Sequence, residues 1–92
     1  MSAARCAIVV GRFYEDLAER LVNGAQAALA EAGALPDEAI DVPGAFELPM
    51  AAQLCAQSER FDAVICLGAV IRGETDHYDY VCAEAARGIQ DV

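Results

Sequence analysis

Two uninterrupted apolar runs limit what this chain can fold into. Cys6–Val10 and Ala63–Leu67 contain apolar residues only, and a glycine follows each of them. A strand with one face in water alternates apolar and polar residues, whereas an unbroken run is typical of a strand covered on both faces. Such strands belong to parallel sheets that lie between layers of helices. The sequence therefore predicts an α/β fold.

Helices are predicted between and after these strands. Apolar residues recur at helical spacing from Glu15 to Ala32, and Gly33 is well placed to end that helix. A second helix should run from about Glu47 to Ser58 and a third from about Asp79 to Gln90. The expected core-facing positions of the first two are Leu17, Leu21, Ala25, Ala28, Leu29 and Ala32, and then Met50, Ala51, Leu54 and Cys55.

A shorter strand is predicted between the first two helices. Ala39–Val42 follows an expected turn over Leu35–Glu38 and is cut off by Pro43. Strands that alternate with helices over short links indicate a parallel sheet joined by right-handed crossovers, with helices on both faces. The 92 residues are enough for a single domain.

Composition argues against several classes of partner. The net charge is −9, there is no lysine, and the six arginines are scattered, so we expect no nucleic-acid partner. No apolar run approaches the roughly 20 residues of a membrane span, and the chain leads directly into a strand, so we expect no membrane partner and a cytoplasmic location. The cysteines lack C-x-x-C spacing and are expected to be small apolar residues rather than metal ligands.

Three loops are expected to form a site, because ligands of open parallel sheets bind beyond the carboxyl ends of the strands. These loops are Gly11–Tyr14, Pro43–Glu47 and Ala69–Tyr78, and all are rich in glycine, aromatic and polar residues. Ordinary turn residues occupy the opposite edge of the predicted sheet. The asymmetry indicates a binding site at the carboxyl edge.

Each candidate residue in these loops has a plainer reading. Phe13 either stacks on a planar heterocycle or closes the core. His77, the only histidine, has a reference pKa that suits proton transfer at neutral pH, but it can equally be a solvated loop residue. Glu47 is either a ligand acceptor or a helix first-turn acid, and Arg72 either contributes charge or forms a surface ion pair.

Three motifs resemble those of the lumazine synthase family, in the family's order and spacing. They are Val9–Phe13 (VVGRF), Val42–Pro49 (VPGAFELP) and Leu67–Tyr80 (LGAVIRGETDHYDY). The second and third are long enough to make chance agreement implausible. The resemblance covers nearly the whole chain.

The resemblance implies a flavodoxin-like fold in homo-oligomers, a pentamer or a multiple of it, with sites between neighbouring subunits. It implies condensation of 5-amino-6-(D-ribitylamino)uracil with 3,4-dihydroxy-2-butanone 4-phosphate to 6,7-dimethyl-8-ribityllumazine, with release of phosphate and without a cofactor or metal. This is a step of riboflavin biosynthesis.

The resemblance also implies a role for each site residue. Phe13 would stack on the pyrimidinedione, and His77 would transfer protons. The remaining contacts would be made by Ala45, Phe46 and Glu47 with the ribityl chain, by Ala69, Val70 and Ile71 with the uracil edge, and by Glu74 and Thr75 with the phosphate ester.

Three departures from the family pattern lead to further expectations. Tyr14 stands where relatives often have asparagine, and fewer residues precede Pro43, which should leave strand two short. The family continues beyond the equivalent of Val92 with a fourth strand, two helices, a phenylalanine and a phosphate-binding arginine, so the chain should be an incomplete domain with three of four strands. The alternative to an enzyme is a non-catalytic flavin- or lumazine-binding or assembly remnant of the family.

Overall fold

A parallel sheet with the strand order β2-β1-β3 organises the part of the chain that the structure describes. The structure is a computed structural model that describes residues 4–73 and 77–92, and the backbone alone of residues 35–38. The strands are β1 (Arg5–Gly11), β2 (Leu35–Val42) and β3 (Ala63–Leu67). The helices are α1 (Glu15–Glu31), α2 (Leu48–Gln57) and α3 (His77–Asp91), and a 3₁₀ turn, Ala45–Glu47, precedes α2.

Strand β1 lies at the centre of the sheet and of the core. Its residue Val9 is in register with Ile40 of β2 on one side and with Cys66 of β3 on the other. The exposed fraction is 0% from Ala7 to Val10. Burying one such valine or isoleucine side chain contributes roughly 1.5–3 kcal/mol to folding.

Alternate residues of β1 face different helices. Val9 packs with Leu48 and Cys55 of α2, whereas Val10 packs with Ala18 and Val22 of α1. The sheet is therefore covered by helices on both faces. The predicted α/β class is confirmed, and the order β2-β1-β3 is that of the first three strands of a flavodoxin-like sheet.

Strand β2 corrects the prediction of a turn followed by a short strand. It begins at Leu35 and runs for eight residues, so the expected turn over residues 35–38 is wrong. An irregularity in the pairing of β1 between Cys6 and Ala7 lies opposite this segment. Because β2 pairs with β1 on one side only in the described sheet, it tolerates a proline at position 36 that a central strand would exclude.

The predicted core-facing stripes of the helices are partly wrong. In α2 the buried residues are Leu48, Ala52 and Cys55, while Met50 and Leu54 are 64% and 62% exposed. Nearly every residue of α2 is apolar, so periodicity does not show which face is buried. In α1 the buried residues are Ala18 and Val22, one position along from the predicted Leu17 and Leu21.

Helix α3 begins two residues earlier than predicted, at His77. It packs against α2 and the 3₁₀ turn rather than on the sheet. None of the helices in the described ranges combines the length and apolarity that a membrane span requires. Of the cysteines, Cys6 and Cys55 are buried, and Cys66 and Cys82 are half-buried.

Two helix glycines make a matched pair for testing the α2–α3 contact. A Cβ on Gly88 of α3 would lie 2.6 Å from Cγ of Pro49, whereas a Cβ on Gly24 of α1 would meet nothing within 4 Å. The proline ring is rigid, so Gly88→Ala must push the two helices apart. We expect Gly88→Ala to lower the free energy of unfolding by about 1–3 kcal/mol, measured by urea denaturation at a fixed protein concentration.

The control is Gly24→Ala, which should raise the free energy of unfolding by about 0.5–1 kcal/mol because alanine has the better helix propensity. Equal effects of the two substitutions would show that the close approach of Gly88 to Pro49 does not limit the packing of α2 and α3.

Candidate functional site

The three loops predicted to form a site do converge at the carboxyl edge of the sheet. They enclose a cavity of about 180 Å³. Its lining comes from the loops after each strand and from the first turns of α3: Phe13, Tyr14, Pro43, Gly44, Ala45, Phe46, Glu47, Ala69, Val70, Ile71, His77 and Val81. Typical ligand pockets measure about 300–1,000 Å³. The described residues thus form a shallow, mostly apolar hollow.

Two glycines allow the segment that leads into α2 to lie over the ends of β1 and β3. A Cβ on Gly11 would come within 2.9 Å of the carbonyl carbon of Gly44. A Cβ on Gly68 would lie 3.0 Å from Cδ1 of Leu48 and 3.7 Å from Cβ of Ala45. Gly44 and Ala45 line the cavity and are called its floor below; their position depends on the absence of side chains at Gly11 and Gly68.

Phe13 stands at the rim of the cavity and not in the core. Its exposed fraction is 72%, which excludes the reading that it closes the core. The ring meets that of Tyr14 edge to face, with centroids 4.9 Å apart. An exposed aromatic ring beside an apolar hollow presents one face to a planar ligand.

Glu47, the last residue of the 3₁₀ turn, contributes a carboxylate to the lining of the cavity. Its N–H donates to the carbonyl of Gly44 at 3.2 Å, and its side chain is half-buried. Glu47 precedes α2 and makes no side-chain cap hydrogen bond there. A carboxylate and helix-terminal N–H groups in this place offer both acceptors and donors to a hydroxylated ligand.

His77 lines the cavity as the first residue of α3. The sequence prediction of a loop position is wrong, because the helix begins here. Val81, one turn further along α3, lines the same cavity.

Arg72 contacts the first turn of α3. Its guanidinium carbon lies 4.5 Å from the ring centroid of Tyr78, and Nη2 lies 3.7 Å from Oδ1 of Asp79. Arg72 and Asp79 are mostly exposed. These contacts favour the interpretation of Arg72 as part of a surface ion pair.

The structure brings most of the predicted site residues together. Eight of them line the cavity: Phe13, Ala45, Phe46, Glu47, Ala69, Val70, Ile71 and His77. Glu74 and Thr75 lie outside the described residues. The cavity also includes Val81, which sequence reasoning missed because it placed the start of α3 too late; a start at His77 makes Val81 its neighbour on one helix face.

Comparisons with known proteins identify a family. The model of the family described as 6,7-dimethyl-8-ribityllumazine synthase matches residues 3–92. A protein of that name from Desulfatibacillum aliphaticivorans is 52% identical over 96% of this chain, and one from Salinibacter ruber is 55% identical over 91% of it. The chain covers 58% and 55% of these two relatives. It thus spans little more than half the length of the curated relatives it matches.

Gly11 and Gly68 give a prediction that does not depend on a ligand. Gly11→Ala places a Cβ against the backbone of Gly44, which cannot move without displacing the loop that carries Glu47. We expect a loss of about 1–3 kcal/mol in the free energy of unfolding. Gly68→Ala meets chiefly the terminal methyl of the Leu48 side chain, which can shift by rotation more easily than backbone can, so its loss should be smaller. Urea denaturation of both variants measures the difference; a larger loss in Gly68→Ala would contradict it.

Proposed function

Because the chain belongs to the 6,7-dimethyl-8-ribityllumazine synthase family, we propose that it forms part of an enzyme that makes 6,7-dimethyl-8-ribityllumazine. The substrates are 5-amino-6-(D-ribitylamino)uracil and 3,4-dihydroxy-2-butanone 4-phosphate. One observation carries the proposal: the three segments that resemble the family's motifs line one cavity. The relatives' greater length supports the further proposal that residues 1–92 are part of a larger single domain. The cytoplasmic location stays a prediction.

The heterocycle of the first substrate is proposed to lie against Phe13. The exposed ring offers its face, and stacking contributes about 0.5–1.5 kcal/mol beyond the area buried. Backbone groups of Ala69, Val70 and Ile71, which line the cavity, are proposed to meet the edge of the uracil. This side of the cavity lies beyond the end of β3, where the chain has left the sheet.

The ribityl chain is proposed to lie along Ala45, Phe46 and Glu47. Its hydroxyl groups are both donors and acceptors, and they match the Glu47 carboxylate together with the N–H groups at the start of the 3₁₀ turn. The phosphate ester is proposed to bind at Glu74 and Thr75, just before α3. These two assignments rest on the family resemblance.

His77 is proposed to transfer protons during formation of the imine, loss of phosphate and ring closure. It lines the same cavity as Phe13 and carries the one imidazole of the chain. An arylamine and a ketone react readily once they are held together, so orientation supplies much of the acceleration. No cofactor is needed for this chemistry.

A homo-oligomer, a pentamer or a multiple of it, is proposed as the working state. Phe46, Met50 and Leu54 follow one another at intervals of one helical turn, and each side chain is more than half exposed. A row of large exposed apolar residues is typical of a surface that binds another protein. Phe46 also lines the cavity, which places this row beside the proposed site.

The alternative is a non-catalytic remnant of the family that binds lumazine or flavin or serves in assembly. It has the same cavity as the proposed enzyme but does not catalyse the condensation. The two are separated by an assay of lumazine formation with both substrates on the full gene product. Product formation supports the enzyme, whereas binding of the lumazine without turnover supports the alternative.

The role of His77 is tested by His77→Ala. We expect kcat to fall about tenfold to a hundredfold, the usual range for general acid–base assistance, with a smaller change in KM. The measurement is the initial rate of lumazine formation as each substrate is varied. Gln90→Ala, an exposed substitution on the same helix, is the control and should leave both constants unchanged. An unaltered kcat in His77→Ala would show that His77 does not transfer protons in the rate-limiting step.

The exposed row on α2 is tested by Leu54→Glu, with Gln53→Glu as its control. Both residues are exposed on α2, so each substitution adds the same charge outside the core that the described residues form. We expect Leu54→Glu to dissociate the oligomer, because a charge would be buried in an apolar interface, and Gln53→Glu to leave it intact. Sedimentation velocity gives the assembly state. An intact oligomer in Leu54→Glu would show that the interface lies elsewhere.

A further inference from the structure

Arg12 joins three elements of the fold through its side chain. Its Nε–H donates to Oδ1 of Asp41 in β2 at 2.8 Å, and its Nη1–H donates to Oε2 of Glu19 in α1 at 2.7 Å. Oε1 of Glu15 lies 3.7 Å from the same Nη1. These four residues are called the Arg12 cluster below.

The backbone makes the same connection. The N–H of Arg12 donates to the carbonyl of Val42 at 2.8 Å, so the residue is tied to the end of β2 by its backbone and its side chain together. Val42 leads directly into Pro43 and Gly44. The Arg12 cluster therefore holds the loop after β1 against the loop after β2, and residues of both loops line the cavity.

Phe13 has few other supports. Its ring is largely exposed, so core packing does not set its direction. The backbone around it is held by the close approach of Gly11 to Gly44, by Arg12, and by the N–H of Ala18, which donates to the carbonyl of Tyr14 at 2.8 Å. The ring itself meets that of Tyr14, its neighbour in the same loop. Among these supports, the Arg12 guanidinium is the side chain that ties the loop to β2 and α1.

The Arg12 cluster differs from an ordinary surface ion pair. The Arg12 side chain is 20% exposed, and its hydrogen bonds to Glu19 and Asp41 raise the pKa of the guanidinium. Arg87, by contrast, is well exposed and bonds Glu84 and Asp91 of its own helix. A pair within one helix cannot fix the position of another element.

We propose that Arg12 is a positioning residue that holds Phe13 in place to stack on the ligand. The proposal rests on the proposed function where the ligand is concerned. The two oriented bonds need the fork of the guanidinium, since a lysine ammonium has no Nε–H and acts as a point charge. Without Arg12, three carboxylates would also repel one another beneath the loop.

The test follows the Phe13 ring directly. The full gene product is labelled with 4-fluorophenylalanine and studied by ¹⁹F NMR, with the signal of Phe13 assigned by Phe13→Leu. The signal of Phe61, which packs against the core and does not line the cavity, serves as the internal reference. The variants are Arg12→Met, Arg12→Lys and the matched control Arg87→Met, and circular dichroism checks that each is folded.

We expect Arg12→Met to move the Phe13 signal towards that of the free amino acid and to weaken binding of 6,7-dimethyl-8-ribityllumazine on the order of tenfold, as misplacement of a contact group does. Arg12→Lys should not restore the signal fully, and Arg87→Met should change neither signal nor affinity. A Phe13 signal unchanged in folded Arg12→Met, or fully restored by lysine, would overturn the proposal.

Two further arms keep the result decisive. If Arg12→Met does not fold, Asp41→Asn weakens the same link and should shift the Phe13 signal in the same direction; an unchanged signal would overturn the proposal. If the unaltered protein does not bind the lumazine, the proposed function fails, while the ¹⁹F signal still decides whether Arg12 positions Phe13.

Discussion

Strand β1 has no free side, and the rest of the fold depends on this constraint. Both of its edges carry hydrogen-bonded neighbours, and both of its faces are covered by helices, so Ala7–Val10 has no contact with solvent. Only apolar side chains can be buried there without unsatisfied polar groups. Once β1 takes the centre, β2 and β3 must pair on either side in parallel, and all three carboxyl ends meet at one edge.

That edge becomes a cavity because chain segments come unusually close together. Because Gly11 and Gly68 have no side chains, the turn before α2 can lie on the strand ends. The cavity is lined by this turn, the neighbouring loops and the start of α3. The apolar core thus fixes the position of the floor, while Phe13, Glu47 and His77 stand around it on elements that the core supports. Close backbone contacts at the glycines thus set part of the site's geometry, and the side-chain bonds of Arg12 hold the loop that carries Phe13.

The sequence predicted the features that follow from local pattern and missed those decided by tertiary context. The apolar runs and the first helix were placed to within about one residue, and the loops at the carboxyl edge were found because topology alone brings them together. Strand β2 was missed at its start because Pro36 and its polar neighbours favour a turn, yet pairing with β1 overrides that preference. The buried face of α2 could not be read from an almost wholly apolar helix; the contact of Pro49 with Gly88 and the packing of Leu48 on β1 decide it.

The order β2-β1-β3 also determines when the fold can form. The ribosome makes β1 first, but the neighbours of β1 come later. β1 gains its first neighbour after Leu35 has been synthesised and its second only after Ala63. Contacts over such separations in sequence form slowly, and the most apolar strand stays open on one edge meanwhile. During synthesis, a chain of this topology therefore exposes its most aggregation-prone segment for a long time. Strand β1 needs protection from aggregation at that stage, although its residues after Arg5 are buried in the folded protein.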